Sequence, residues 1–306
     1  MRFNDSTLTP GLIEGEAPQP RPGQGELLVR VHAAGVTPTE LLWYPTSHGK
    51  SGEKRSGAVP GHEFSGVVAA LGEGVDGMEV GNEIFGMNDW FSDGATAEYC
   101  VTQPSWVAAK PARLTHAEAA SVPIGALTAW QGLFDRANLQ AGEHVLIHGG
   151  SGAVGIFAIQ LARRHGARVI TTASARNLEF LSQLGAERVI DYRAERFEET
   201  VRDVDVVFDA VGGATLQRSW PVAKSGGRVV TIAAESEGTD DERVKKAFFI
   251  VEPNQKQLCE IGDLLEAGHL QAFVDRALPF AQASTAYCGK VEQRAGRGKL
   301  VVTIAE

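Results

Sequence analysis

The 306-residue chain carries only three cysteines, Cys100, Cys259 and Cys288. They are odd in number and far apart, so their spacing builds neither a disulfide framework nor a C-x-x-C site. A reducing, cytoplasmic home is the simplest reading of such sparse cysteine. No apolar stretch approaches the ~20 residues needed to span a bilayer. The start, MRFNDSTLTPG, lacks the basic segment and apolar run of a signal peptide. Positive charge is also in short supply: 29 Lys and Arg face 38 Asp and Glu, a formal net charge of −9. That balance argues against a nucleic-acid binder, which needs basic groups to displace phosphate counterions, and against an anionic membrane as partner. Internal repeats and low-complexity segments are absent.

What remains is ordinary globular material, 43% hydrophobic and 22% charged. The length suggests two domains at ~150 residues each. In the first third, ELLVRVHAAG (26–35), FSGVVAALG (64–72), NEIFGM (82–87) and ATAEYCVT (95–102) read as short strands between turns. SGEKRSG (51–57) reads as a loop. From Thr115 the pattern changes to a helical stretch interrupted at Pro123, with Thr115 and Glu118 placed for a capping box. Strands and helices then alternate. HVLIHG (144–149), RVITTA (168–173), RVIDY (188–192), VDVVFDAVG (204–212) and GRVVTIAA (227–234) are rich in Val and Ile, as strands buried on both faces of a parallel sheet are. ESEGTDDER (235–243) reads as an acidic loop, FFIV (248–251) as a further strand, 254–267 as a helix and KLVVTIA (299–305) as a closing strand.

LIHGGSGAVG is the strongest signal. Gly150, Gly152 and Gly155 stand in G-x-G-x-x-G spacing after a predicted strand and at the opening of a predicted helix. In that context Gly150 permits the tight turn, Gly152 lets the backbone approach a pyrophosphate, and Gly155 lets the helix pack on the sheet. Free N–H groups and the helix dipole attract the phosphates. A site for NAD places an acid about 20 residues further on, at the end of the second strand. Here that strand runs into Ser174-Ala175-Arg176, with no acid before Glu179. Ser174 can donate to a 2′-phosphate, Arg176 can neutralise it, and Tyr192 can close the same pocket, so the expected cofactor is NADP(H).

PGHEFSG (60–66) has the look of half a metal site, with His62 beside Glu63. Catalytic zinc needs three protein ligands and an open position. The preceding turn, AAGVTPTE (33–40), offers Thr37 and no cysteine, and residues 87–99 lack the four cysteines of a structural zinc. The expectation is no metal, with His62 and Glu63 as a structural hydrogen-bonding pair near a buried turn.

Together VRVHAAGVTPTE, PGHEFSGVVAALGEGV, VGNEIFGM, GATAEYCV, AASVPIGALTAWQGLF, HVLIHGGSGAVG, FDAVGG, GGRVVTI, FFIVEP and RGKLVVTI resemble the medium-chain dehydrogenase/reductase superfamily. The likeness is to its zinc-independent, zeta-crystallin-like quinone-oxidoreductase branch. The resemblance implies an α/β architecture: a GroES-like β-barrel domain from residues 1–114 and 268–306, and a Rossmann doubly wound parallel sheet from 115–267, with the dinucleotide in the cleft between them. It implies cofactor contacts at Thr37, Thr128, Gly150, Ser151, Gly152, Ala153, Val154, Gly155, Ser174, Arg176, Tyr192, Ile232, Phe248 and Phe249. The N-terminal strand reads as shortened relative to the family. Phe248, Phe249 and Ile250 form an apolar edge through which a homodimer would pair.

Without a metal, the reaction should need little acid–base help. Hydride transfer from NADPH to a quinone or an α,β-unsaturated carbonyl fits, because conjugation spreads the developing charge. Trp43, Tyr44, Trp90 and Phe91 are the candidate lining of a flat apolar acceptor pocket, and Tyr44 is the candidate proton donor. Two alternatives stand beside this reading: an enoyl-thioester reductase, and an NADPH-binding protein of structural or regulatory role with negligible turnover.

Overall fold

The computed structural model describes residues 1–4 and 11–305. In chain order its strands are β1 (Arg2–Asn4), β2 (Gly11–Ile13), β3 (Leu27–Gly35), β4 (Glu63–Leu71), β5 (Glu83–Met87), β6 (Tyr99–Thr102), β7 (Val107–Ala109), β8 (His144–His148), β9 (Arg168–Ala173), β10 (Arg188–Asp191), β11 (Val204–Asp209), β12 (Ala223–Thr231), β13 (Val274–Pro279) and β14 (Lys299–Thr303). The chain divides into two compact units. One comprises Met1–Ile124, Glu252–Ala295 and Lys299–Glu306; the other comprises Gly125–Val251 and Gly296–Gly298.

The first unit is a mixed seven-stranded sheet in the order β13-β14-β3-β4-β5-β7, with β6 also on β3. Strand β3 is long enough to serve two neighbours. Its first half, Leu27–Arg30, pairs with β6, and its last residues, Ala33–Gly35, pair with β14. The C-terminal strand is thereby stitched antiparallel into the N-terminal sheet. Alternation in β3 and β4 sends Leu27, Val29, Val31, Phe64 and Val68 inward, where they pack with Ile84, Cys100 and Val107. Phe64 and Phe85 are fully buried, each contributing roughly 1.5–3 kcal/mol by leaving water. At the N-terminus β1 pairs only with β2, and residues 5–10 lie outside the described residues.

The second unit is a five-stranded, all-parallel sheet in the order β10-β9-β8-β11-β12. The order reverses between β8 and β11, the switch point at which ligands of open α/β sheets bind. As the Val-rich runs predict, β11 is buried along its whole length. Leu146, Ile190, Val204 and Val207 join Phe197, Val201 and Val222 in one cluster. The capping box forms as expected: Glu118 N–H donates to Thr115 Oγ1, and the Glu118 carboxylate accepts from Thr115 N–H at 2.9 Å.

Three expectations are revised. Residues 115–124 and 252–267 belong to the first unit, because the helix His116–Ala120 packs on β3 and β4 and the helix Gln255–Glu266 packs on β7. Glu242 and Arg243, the end of the expected acidic loop, instead open the helix Glu242–Ala247, capped by the Asp241 carboxylate. FFIV is not a strand: Phe248 makes one isolated parallel bridge to Thr231, and Phe249 N–H donates to Thr231 O at 3.3 Å. Among the described residues no helix is long and apolar enough to cross a membrane.

Candidate functional site

Strand β8 ends at His148 and the chain turns through Gly149 into the helix Gly155–Arg164. The left-handed residue is Gly149, with φ +77°, and not Gly150 as the fingerprint suggested. Gly150 instead faces β9, where an added Cβ would lie 2.2 Å from Thr171 Oγ1. Gly155 is buried against the turn itself: its Cβ would sit 2.3 Å from Gly149 O and 2.7 Å from Gly150 Cα. Gly152 is exposed, and a Cβ there meets only Gly149 O, at 3.3 Å. So Gly149 makes the turn, Gly150 and Gly155 allow close packing, and Gly152 keeps an open backbone face. Gly152 N–H donates to Gly149 O at 3.0 Å and Ile156 N–H to Gly152 O at 3.2 Å, whereas among the described residues the N–H groups of Ala153, Val154 and Gly155 have no acceptor and stand at the positive end of the helix dipole. Ser151 O accepts from Gly298 N–H at 3.0 Å, pinning the turn to the segment Gly296–Gly298. Ala153 O comes against Gly125, where a side chain would collide at 2.5 Å. Val154 precedes the helix, and its carbonyl accepts from Ala158 N–H at 2.9 Å.

That C-terminal segment brings an arginine the sequence reading missed. Arg297 donates through Nε to Asn177 Oδ1 at 3.0 Å and through Nη2 to Arg176 O at 3.1 Å, with its guanidinium 4.6 Å from the Phe180 ring centroid. Arg176 lies against Gly296, where a Cβ would come within 2.3 Å of its Nη2. Two guanidinium groups therefore flank the end of β9, just past half-buried Ser174. Among the described residues neither has a carboxylate partner. Tyr192 is exposed beside them, its backbone N–H on Ala173 O at 3.2 Å and Arg193 over its ring. The flanking glycines in GRGK were the available signal for Arg297.

At the ends of β11 and β12, Ile232 N–H donates to Asp209 O at 3.1 Å. Asp209 is buried, and its carboxylate accepts from the N–H groups of Val211 and Gly212 and from Thr231 Oγ1. Burial pushes its pKa up, and these donors oppose the rise. Half-buried Phe248 bridges Thr231, and Phe249 is buried with Arg136 over its ring. Thr128 is buried on the helix Pro123–Trp130. His148 bonds Thr172 Oγ1 and Ser219 Oγ, each at 3.0 Å, and burial lowers its pKa to about 3. It supports the turn as a neutral ring.

In the first unit His62 and Glu63 do not pair with one another. His62 Nδ1 meets Glu40 Oε2 at 2.8 Å, and Nε2 meets Ser92 O at 3.1 Å. Glu40 Oε1 accepts from Gly61 N–H at 2.7 Å, and its carboxylate also takes the Tyr287 hydroxyl, which touches Thr96 Oγ1 at 3.0 Å. Glu63 is completely buried, accepts from Ile124 N–H at 2.9 Å, and forms an ion pair with Lys299. Burial raises its pKa against the pull of Lys299. Lys299 Nζ also donates to Thr37 Oγ1 at 2.9 Å. Glu40 and Lys299 were both missed, because VTPTE read as a turn and RGKLVVTI as a strand. Of the expected acceptor lining, Trp43 and Trp90 meet edge to face at 4.6 Å, with the His62 ring 5.0 Å from Trp90. Tyr44, 51% exposed, stacks on His48 at 4.3 Å, and Phe91 faces Lys50.

Residues 23–112 match the alcohol dehydrogenase GroES-like domain, and residues 184–302 match the zinc-binding dehydrogenase domain. The chain is 32% identical, over 98% of its length and 94% of the relative's, to a probable zinc-binding oxidoreductase, mitochondrial, of Arthroderma benhamiae. The chain belongs to the medium-chain dehydrogenase/reductase family. As a member of that family it is a nicotinamide-dependent oxidoreductase. A second medium-chain dehydrogenase/reductase relative is the NADPH-dependent alkenal/one oxidoreductase, chloroplastic, of Arabidopsis thaliana, 30% identical over 95% of this chain and 75% of that one. The structure of the quinone oxidoreductase from Coxiella burnetii superimposes with a TM-score of 0.83, at 32% identity, covering 94% of this chain and 93% of that chain.

The zinc in those family descriptions can be tested against the side chains. Catalytic zinc needs three N, S or carboxylate ligands. Here both His62 nitrogens and both Glu40 oxygens are engaged, and an ammonium sits 2.9 Å from Thr37 Oγ1, where it would repel a dication. Among the described residues no group of three or more His, Cys, Asp and Glu could hold a metal ion. The donor set does not fit zinc. The dinucleotide does fit: the turn would collide with side chains at Gly150 and Gly155, stays open at Gly152, and ends near two unpaired guanidinium groups.

Proposed function

We propose that the protein transfers hydride from NADPH to a quinone or an α,β-unsaturated carbonyl, without zinc. The observation that carries the cofactor choice is the Arg176–Arg297 pair after Ser174, on a strand that ends with no carboxylate. Two uncompensated guanidinium groups favour a 2′-phosphate, whereas an acid there would repel it. The N–H groups of Ala153, Val154 and Gly155, beside the open face at Gly152, hold the pyrophosphate. When bound, the reduced nicotinamide supplies a hydride. The chain contributes the rest. Trp43 and Trp90 offer an apolar aromatic surface for a flat acceptor. Conjugation in the acceptor takes up charge that the donor set cannot pass to zinc. The final proton comes from solvent, since Tyr44, at the start of the short helix Tyr44–Ser47, is exposed and stacked on His48. The relatives named for alkenal/one reduction and for quinone oxidoreduction support the acceptor class.

A cytoplasmic location accords with three free thiols, Cys100, Cys259 and Cys288, and a homodimer would meet through the segment Phe248–Ile250, where Ile250 is exposed, rather than through a strand edge. Stopped-flow oxidation of NADPH by 1,4-benzoquinone, 9,10-phenanthrenequinone and a short alkenal, with and without exhaustive chelation, tests the function. Turnover with at least one acceptor, unchanged by chelation, is expected. Uniformly negligible turnover would favour the binding-only role, and activity lost to chelation and restored by zinc would overturn the metal-free reading.

A further inference from the structure

Resting on that function, we propose that Thr37 is a catalytic hydrogen-bond donor to the reacting carbonyl oxygen of the acceptor, aimed and polarised by Lys299 as a positioning residue. Lys299 Nζ is buried, and a buried ammonium must be compensated. Its compensation comes from the Glu63 carboxylate and from Thr37 Oγ1 at 2.9 Å. An ammonium has three N–H donors and no lone pair, so in this contact the Thr37 oxygen accepts. The hydroxyl proton is then left over, and among the described residues Thr37 Oγ1 has no acceptor to give it to. Thr37 is half-buried, at the start of the turn that leads through residues 38–42 to Trp43. A hydroxyl that accepts from a cation is a stronger donor in turn, because hydrogen bonds in a chain polarise one another.

The relay is fixed from behind. Glu63 cannot swing away, since Ile124 N–H holds its second oxygen at 2.9 Å. Its carboxylate fits only because residue 35 is glycine; a Cβ at Gly35 would lie 2.5 Å from Glu63 Oε1. The order is therefore Glu63, Lys299, Thr37, and then an acceptor oxygen. When hydride from the reduced nicotinamide reaches the β-carbon of an enone, its electron pair forms the new C–H bond. The displaced π electrons move to the carbonyl oxygen as an enolate. The Thr37 O–H and the charge of Lys299 meet that oxygen, and water then supplies a proton to the α-carbon. A preorganised donor of this kind does for the oxygen what a Lewis acid would do, without requiring a metal's ligand set.

The test compares Thr37→Val, which keeps shape and removes the donor, with Thr37→Ser, which keeps the hydroxyl, and with Lys299→Met. The first readout is independent of turnover: the infrared band of 13C-carbonyl-labelled 2-cyclohexen-1-one bound to protein loaded with NADP+. The wild type and T37S should lower the carbonyl frequency relative to the free enone in water, and T37V and K299M should lose that shift. In steady state T37V should lower kcat by about 100-fold, the scale for removing one oxyanion donor, with the KM for NADPH unchanged, and T37S should restore most of it. An unshifted band in the wild type, or T37V with wild-type kcat, overturns the proposal. Weaker NADPH binding in T37V with an unchanged band overturns it too and assigns Thr37 to the cofactor. Should K299M fail to fold, the T37V and T37S pair decides alone. Wild-type turnover separates the two levels: no oxidation of NADPH by any acceptor sinks the function itself, whereas turnover that ignores Thr37 sinks only this assignment.

Discussion

Adding one methyl group to the glycine turn at two positions three residues apart should produce opposite kinds of damage. At Gly155 an alanine Cβ would lie 2.3 Å from Gly149 O and 2.7 Å from Gly150 Cα, and both neighbours are backbone that cannot rotate aside. Overpacking of this sort costs roughly 1–3 kcal/mol, and a backbone collision belongs near the upper end. At about 2–4 °C per kcal/mol for a domain of this size, Gly155→Ala should lower the melting temperature by roughly 6–12 °C. At Gly152 the same methyl meets only Gly149 O at 3.3 Å, which a shift of a few tenths of an ångström relieves. Gly152→Ala should therefore melt within about 2 °C of wild type, since relieving so slight a contact costs well under ~1 kcal/mol. Its methyl would instead stand on the exposed face that a pyrophosphate must approach. A displacement there that costs ~1.4 kcal/mol or more weakens NADPH by about tenfold or more. Scanning fluorimetry of the free protein and titration of NADPH fluorescence read the two effects separately. Wild-type affinity in G152A would refute the placement of the phosphates on this turn. A wild-type melting temperature in G155A would refute the packing role assigned to Gly155.

Arg176→Ala should weaken NADPH by roughly 10- to 100-fold, the worth of a hydrogen bond to a charged group, and leave NADH within about threefold; equal losses for both coenzymes in calorimetric titration would remove the 2′-phosphate assignment. His148 gives a pH signature. Its folded pKa of about 3 lies below the ordinary 6.5, so the unfolded chain takes up a proton first as the pH falls. The stability it supports is complete above about pH 6.5 and is lost downward toward the folded value, at up to about 1.4 kcal/mol per pH unit. His148→Gln should flatten the fall in urea midpoint between pH 7 and 5, and parallel curves for the two proteins would show that His148 is not the group responsible.

Much of this was legible in the residues because it is local. The Thr115–Glu118 capping box, the Val-rich strands and the glycine spacing each express a short-range rule, and each formed where expected. The rules failed where local preference was outweighed. Phe248–Val251 has the composition of a strand, yet it makes a single bridge beyond the end of β12. Gly150 and Gly149 are adjacent glycines, and spacing cannot say which takes the left-handed turn; the packing of Gly150 against Thr171 decides it.

The parallel sheet, the glycine turn and the lack of an acid after β9 are written in contiguous residues and can be read from them. What surrounds them depends on the folded chain. Arg297 reaches Arg176 across 121 positions, and Lys299 reaches Thr37 across 262, both because the C-terminal segment returns to pair with strands laid down early in the chain. Partners so far apart leave no trace in spacing; burial forces Lys299 onto Glu63, because neither an ammonium nor a carboxylate stays in a protein interior alone.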